Sequence, residues 1–428
     1  MSTPLVEFVH GQRWFGGKSQ EVTGAEIVDQ AVLREEPRLA DALVELRYGD
    51  GNHDLYQLLL GEDEIDVLAD SSTGLELVRL VQEGVTLPTL DGQLTFESLE
   101  SMPKDLPLEA VLVLGLEQSN SSLVVDDRAF VKVYRRIEAG VNPDLELTRF
   151  LVSHGYANVP ALWGSWSYTG PLLGATLGMV QEFVPGAVDG WSLALDELPS
   201  KPEEFVARAH RLGEVIGELH VVLASDRDDP AFAPEEASAE SLALLTATVD
   251  DEIEQVFLHL PDDEVVAPIA GRSDDVRDLL RSLTVVGTVG RRIRHHGDLH
   301  LGQLLWANGD WLVIDFEGEP ARALPERRAK RSPLRDVAGM LRSFTYAASV
   351  SGTERADVEQ RARADFLDGY FATVQGKGLL PARDETERLL RIFELEKAVY
   401  ELRYELSHRP DWVHVPVAGI LQLLEESV

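Results

Sequence analysis

The stretch HHGDLHLGQLLWANGDWLVIDFEGEP, residues 295–320, carries two carboxylates in unlike settings. Asp298 lies in the polar turn His296-Gly297-Asp298-Leu299-His300, and Asp315 closes the apolar run Trp311-Leu312-Val313-Ile314. Between them Ala307-Asn308-Gly309-Asp310 reads as a hairpin turn, because an Asn-Gly pair tolerates the positive φ that such a turn needs. A hairpin brings its two ends together, so Asp298, Gln303 and Asp315 are expected to meet at one mouth. Two acids and an amide oxygen there suit Mg²⁺, which takes oxygen ligands. One acid left off the metal can accept the proton of a substrate hydroxyl.

The layout HGDxHxxQ, then an apolar strand, then IDFE, resembles the phosphotransferases related to protein kinases. Aminoglycoside and choline kinases write it HGDxxxxN…D. Gln303, where most of these have Asn, and the continuation FEGEPARxLxERRxxxSPLRDVAGMLRSF are similar to the bacterial maltokinases, including those fused to trehalose synthase. Actinobacterial glucosamine kinase is a close relative of that group. The resemblance implies an α+β, bilobal, protein-kinase-like (aminoglycoside phosphotransferase-like) fold with a small N-terminal cap. It implies ATP between the lobes, Mg²⁺ on Gln303 and Asp315, and Asp298 as the group that orients and deprotonates the acceptor hydroxyl.

Bulk composition narrows the partners. With 428 residues the chain has ample material for several domains, and 44% apolar with 26% charged residues describes a globular protein. Lys plus Arg is 39 and Asp plus Glu is 74, a net charge of −35 that repels nucleic acid and leaves ATP dependent on local cations. The absence of cysteine excludes disulfide and thiolate chemistry. The N-terminus has no signal-peptide pattern, and no apolar run reaches the about 18 residues of a membrane span, so a cytoplasmic protein is expected, monomeric or weakly dimeric.

Three regions are expected in order. Residues 1–95 form a cap, with a hairpin through Ala42–Tyr48 and Leu55–Leu60; Trp14 and Phe15 in it read first as anchors of the terminus to the cap's core. Residues 96–184 form a small lobe: a strand at 111–114, a polar turn at 117–122, a strand at 123–125, the turn Asp126-Asp127-Arg128 and a strand at 129–134. Small side chains let backbone N–H groups approach phosphates, so Ser119, Asn120, Ser121 and Ser122 are nucleotide candidates, in the place of the maltokinase phosphate loop. Lys132 sits among apolar neighbours and needs a partner; kinase logic puts it on the α- and β-phosphates, held by Glu146 one turn into a helix that starts at Pro143. By resemblance the backbone around Glu182 and Val184 is the hinge that binds adenine.

Residues 185–428 read as a mainly helical large lobe. Helices are expected over 202–224, 250–260, 273–288, 332–344, 353–375 and 381–406, with His220 a hydrogen-bonded structural residue and 325–330 a basic loop. Ser332 reads as a cap, and Asp336 braces the catalytic turn if the resemblance holds. In the last helix Tyr400/Tyr404 and Glu401/Glu405 are each four apart, and Arg409 and Trp412 follow. Rings stack on the apolar face of a sugar while carboxylates grip its hydroxyls, and YExxYE…RPDW resembles maltokinase C-termini, which usually have Asn in place of His408. The acceptor set is therefore Tyr400, Glu401, Tyr404, Glu405, Arg409 and Trp412, with His300 from the catalytic turn. Maltose, phosphorylated at its anomeric hydroxyl and feeding α-glucan synthesis, is the first expectation. Glucosamine, phosphorylated at the 6-position, is the alternative. A cationic acceptor such as an aminoglycoside or choline, and a non-catalytic pseudokinase-like module, stand behind them.

Overall fold

The computed structural model describes residues 3–114, 120–171, 173–284, 289–320, 322–352 and 356–425. The chain divides into two compact units, Met1–Gly186 with Pro320–Arg327, and Ala187–Glu319 with Arg328–Val428.

The first unit holds two antiparallel sheets. Val22–Arg34, Leu39–Tyr48, His53–Leu60 and the short Arg136–Ile137 form the cap sheet. Its central hairpin turns at Gly49–Asn52, with Arg47 opposite His53. One face packs on the helix Thr3–His10 and on Trp14 and Phe15, which are buried in an apolar cluster with Tyr56 and Leu58. The aromatic pair thus anchors the terminus, as its residue types suggested. The second sheet has seven strands, in the order 86–88, 93–98, 162–169, 174–182, 129–134, 120–125, 111–114. Residues 86–98 therefore run in this larger sheet, although the sequence placed most of them with the cap. A shared core joins the sheets, with Leu39, Leu43 and Leu59 packed among Leu77, Val131 and Trp166.

Two local readings change. Asn120, Ser121 and Ser122 belong to a strand, Asn120–Val125, paired along its whole length with Ala129–Tyr134. Ser119 lies outside the described residues. The pairing starts earlier than expected because the tight turn Asp126-Asp127 fixes the register: both residues take positive φ (54° and 51°), and the Asp126 carboxylate accepts from the N–H groups of Leu108, Glu109 and Ala110. The segment read as a basic loop carries a helical turn, Leu324–Arg327, whose Arg327 pairs with Glu138.

The second unit is mainly helical. The long helix Pro202–Leu223 packs on Ala356–Val374; Leu334–Val350 and Arg383–His408 pack together, with His414–Glu425 behind them. The helix expected from 250 starts at Ala239 and runs to Leu258, capped by Ser238. Ser273–Leu283 is the one that follows. The hairpin pairs Leu304–Ala307 with Asp310–Val313, and Asn308 and Gly309 both take positive φ (54° and 84°), the turn that the Asn-Gly pair predicts. Trp311 is buried, and its indole N–H donates to the Arg208 carbonyl, fixing the hairpin to the long helix. Among the described residues no helix is long and apolar enough to cross a membrane.

Candidate active site

The turn that carries Asp298 is held by its backbone. The buried Asp336 carboxylate accepts from the N–H groups of His296 (2.8 Å) and Gly297 (2.9 Å). It also accepts from His220 Nε2 at 3.0 Å, and His220 Nδ1 meets the Tyr370 hydroxyl at 2.9 Å. His220 is thus the structural residue expected, and Asp336 braces the turn. Burial pushes the Asp336 carboxyl up, but the neighbouring His295, the His220 hydrogen bond and His296 outweigh it and hold the group well below the ordinary range. Burial also depresses His295, to about 4.

Gly297 is needed here. Its φ is +88°, and an added Cβ would come within 3.3 Å of the Gly318 Cα. The turn therefore lies against the loop that follows the hairpin. On the same seam His296 Nε2 donates to the Ile314 carbonyl at 2.9 Å, which leaves Nδ1 to accept from the Asp298 N–H at 3.4 Å. Leu301–Gln303 is a single 3₁₀ turn capped by His300, whose Nδ1 accepts from the Gly302 N–H at 3.0 Å. The Ile314 N–H donates to the Gln303 carbonyl at 3.0 Å, so Gln303 and Asp315 become neighbours. Burial lowers the His300 pKa, opposed by the nearby Asp298 and by the more weakly felt Asp315. The hairpin thus brings the backbones of Gln303 and Asp315 together, and Asp298 and Asp315 both act on His300.

Asp315 takes a positive φ of 65°, a costly conformation for a residue with a Cβ. Its carboxylate and that of Glu317 offer oxygens within 4.8 Å of each other. Two carboxylates so placed are oxygen donors of the kind Mg²⁺ takes. The sequence reading missed Glu317, though its place two residues beyond Asp315 was in plain view.

In the first unit Lys132 is buried on its strand and its Nζ meets Asp144 Oδ2 at 2.8 Å. Kinase logic had assigned that partnership to Glu146. Helix residues two apart do not share a face, and the helix Pro143–Ser153 buries Asp144 while Glu146 stays half-exposed. Asn142 sets this phase by capping the helix, its side chain accepting from the Asp144 N–H at 2.8 Å. Ser122 lies directly opposite Lys132 in the sheet. The Ser121 hydroxyl accepts from Arg135 Nε, and the rest of that guanidinium is held by Asp66 and the Gln57 carbonyl, so Ser121 has a structural task. At the strand end the Glu182 N–H donates to the Ala161 carbonyl and the Phe183 N–H to that of Arg128, which secures the backbone leading to Val184.

The helix Arg383–His408 supplies the acceptor candidates, in an arrangement that differs from the expected one. Glu401 is buried and salt-bridged to Arg342 (2.8 Å). Glu405 is 1% exposed, takes both ends of the Arg409 guanidinium (2.9 and 2.7 Å) and accepts from the Tyr346 hydroxyl at 3.2 Å. Both acids thus hold arginines instead of standing open, because buried carboxylates require partners. Tyr404 is exposed and stacks between Tyr400 (6.5 Å) and His408 (4.5 Å). Trp412 lies between Trp191 (6.4 Å) and Tyr346 (5.8 Å), with Arg409 over its ring at 4.9 Å. A further residue of this helix, Lys397, reaches Asp298 Oδ1 at 3.6 Å. It stands three residues before Tyr400 on the same helix face, so the spacing that singled out the tyrosines could have found it.

A strand lysine held by a helix acid, and an aspartate turn braced beside a hairpin that ends in a second aspartate, belong to an enzyme that moves a phosphoryl group onto a hydroxyl. Residues 111–376 match the family described as "Phosphotransferase enzyme family", and residues 8–70 match the "Maltokinase N-terminal cap domain". The chain belongs to this phosphotransferase family, and it is an enzyme that uses ATP and an alcohol acceptor. A glucosamine kinase of Mycolicibacterium smegmatis is 31% identical over 73% of this chain and 79% of its own. One of Streptacidiphilus jiangxiensis is 28% identical over 77% and 76%. A solved glucosamine kinase superposes with a TM-score of 0.75 at 24% identity, covering 95% of this chain and 96% of its own, and so shares the protein-kinase-like fold.

Proposed function

We propose that the protein is an ATP-dependent sugar kinase whose acceptor is glucosamine, phosphorylated at its 6-hydroxyl. The observation that carries the reading is the similarity to glucosamine kinases across about three quarters of the chain. It moves the acceptor from maltose, the first expectation of the sequence, to the alternative. Lys132, held by Asp144, binds the α- and β-phosphates of ATP. Gln303, Asp315 and Glu317 would hold Mg²⁺, which when bound would neutralise charge on the phosphates. Asp298 orients the sugar hydroxyl and takes its proton as the oxygen attacks the γ-phosphorus. The γ-phosphoryl group passes to the sugar oxygen and ADP leaves.

On the acceptor side, Arg409, Tyr404 and Trp412 are the candidates, with both rings already stacked on neighbours that a sugar would have to displace or pack beside. Glu401 and Glu405 act through the arginines they hold. Glu319 lies close enough to Lys397 and Tyr400 to raise the pKa of each, and so adds negative charge beside the Asp298 turn. The second reading is maltose, favoured by the match of residues 8–70 to the maltokinase cap and by the row of rings Trp191, Trp412 and Tyr346.

The test is kcat/KM for glucosamine, glucose and maltose under matched ATP and Mg²⁺. Glucosamine should lead by about tenfold or more, a discrimination of about 1.4 kcal/mol. A lead for maltose transfers the assignment to the second reading. No turnover of any sugar, with ATP still bound, removes both.

A further inference from the structure

The backbone of the Asp298 turn and the side chain of Asp298 are held by different parts of the second unit. Asp336 takes the N–H groups of His296 and Gly297, and that bracing stops one residue short of Asp298. The Asp298 N–H is used by His296. Among the described residues no donor hydrogen-bonds to the Asp298 carboxylate, and the one cation within 4 Å of it is Lys397, 3.6 Å from Oδ1. The Asp298 side chain is 26% exposed, and Lys397 is the charged partner on its covered side.

Lys397 itself is well fixed. It projects from the middle of a 26-residue helix whose adjoining residues Ala398 and Val399 are fully buried. Its Nζ lies 5.3 Å from the centre of the Tyr400 ring. Partial burial works against the ammonium, but Asp298 first, then Glu401 and Glu319, outweigh it and keep the group charged. Of these acids, Glu401 is paired with Arg342.

We propose that Lys397 is the positioning residue of the phosphoryl-transfer reaction: its ammonium holds Oδ1 of Asp298 and leaves Oδ2 aimed at the acceptor hydroxyl. The inference rests on the reading of Asp298 as the proton acceptor. The helix that carries the acceptor candidates thus also aims the base, so the acceptor wall and the chemistry are joined by one side chain. Lys397 acts through Asp298, and its effect must therefore depend on the Asp298 carboxylate.

The experiment is a double-mutant cycle of Lys397→Met and Asp298→Asn in the full chain, with Lys397→Arg as the conservative variant. The readouts are kcat and both KM values for whichever alcohol the wild type turns over best, together with the unfolding temperature. Lys397→Met should lower kcat roughly 10–100-fold with the KM for ATP unchanged, and Lys397→Arg should recover most of it. In the Asp298→Asn background the same change should cost less than about twofold, the non-additivity expected of groups that act as one unit. Lys397→Met within about twofold of wild type overturns the proposal, as does an equal loss in both backgrounds. Full activity of Asp298→Asn would instead overturn the reading of the base, so the two failures are told apart. A variant that unfolds is replaced by Lys397→Gln, which is one atom shorter and removes the charge while staying polar, and must show the same non-additivity.

Discussion

Asp336→Asn isolates the brace under the catalytic turn. In the wild type Oδ2 accepts from His220 Nε2 and the His296 N–H, while Oδ1 accepts from the Gly297 N–H. Asparagine offers one oxygen. With that oxygen in the Oδ2 place, the new NH₂ faces the Gly297 N–H, donor against donor; the other orientation sacrifices two bonds. An unpaired donor costs about 1–3 kcal/mol, and the surviving bonds lose their charge assistance, so a total of about 2–4 kcal/mol is expected. For a unit of this size each kcal/mol moves Tm by about 2–4 °C, giving a fall of about 5–15 °C. Asp298 follows Gly297 directly, and a misplacement of about 1 Å at a reacting group costs roughly 10²-fold, so kcat should fall at least tenfold. Thermal unfolding at neutral pH and steady-state kinetics below Tm read the two effects. A variant whose Tm stays within about 2 °C and whose kcat stays within about twofold would show that the turn keeps its shape without the charge.

Two further perturbations address other parts of the molecule. Asp41, fully buried with Gln57 as partner, has its carboxyl raised to about 7 by burial, against the Gln57 hydrogen bond and the charge of Arg135. The folded state keeps this proton to higher pH than the unfolded chain, so the stability it contributes is present below 3.8 and lost as pH rises to about 7. Asp41→Asn should therefore gain stability relative to the wild type as pH rises through this window, by at most about 1.4 kcal/mol for each pH unit crossed; a Tm difference that stays constant across it would refute the assignment. Asp315→Ala should abolish the Mg²⁺ dependence of turnover together with turnover itself, while Gln303→Asn keeps an amide oxygen and loses less. Titration of activity with a chelator and then with added Mg²⁺ checks the pair, and full turnover in excess chelator would remove the metal site.

The parts legible in the sequence were those set by short-range rules. Asn308-Gly309 dictated a two-residue turn, and the hairpin formed where it had to. Asn142-Pro143 marked a helix start, and the helix begins there. What escaped depended on phase or on distant partners. The choice between Asp144 and Glu146 for Lys132 turns on about 200° of helix rotation, which is fixed only once the cap is known. The serines at 121 and 122 carry loop-forming residue types, yet strand pairing with 132 and 133 overrode that preference. Arg342 is 59 residues from Glu401, and no local pattern reveals that the glutamate is already taken.

The match to the phosphotransferase family ends at residue 376, while the helix that bears Lys397, Tyr400, Tyr404 and the two arginine-holding glutamates starts at Arg383. Asp336, His220 and Tyr370, which support the catalytic turn, all lie within the matched part. On the proposed acceptor role of 400–412, exchanges there would retarget the enzyme to a new alcohol while the transfer machinery is kept, and on the proposed role of Lys397 a change at that position would cost catalysis instead.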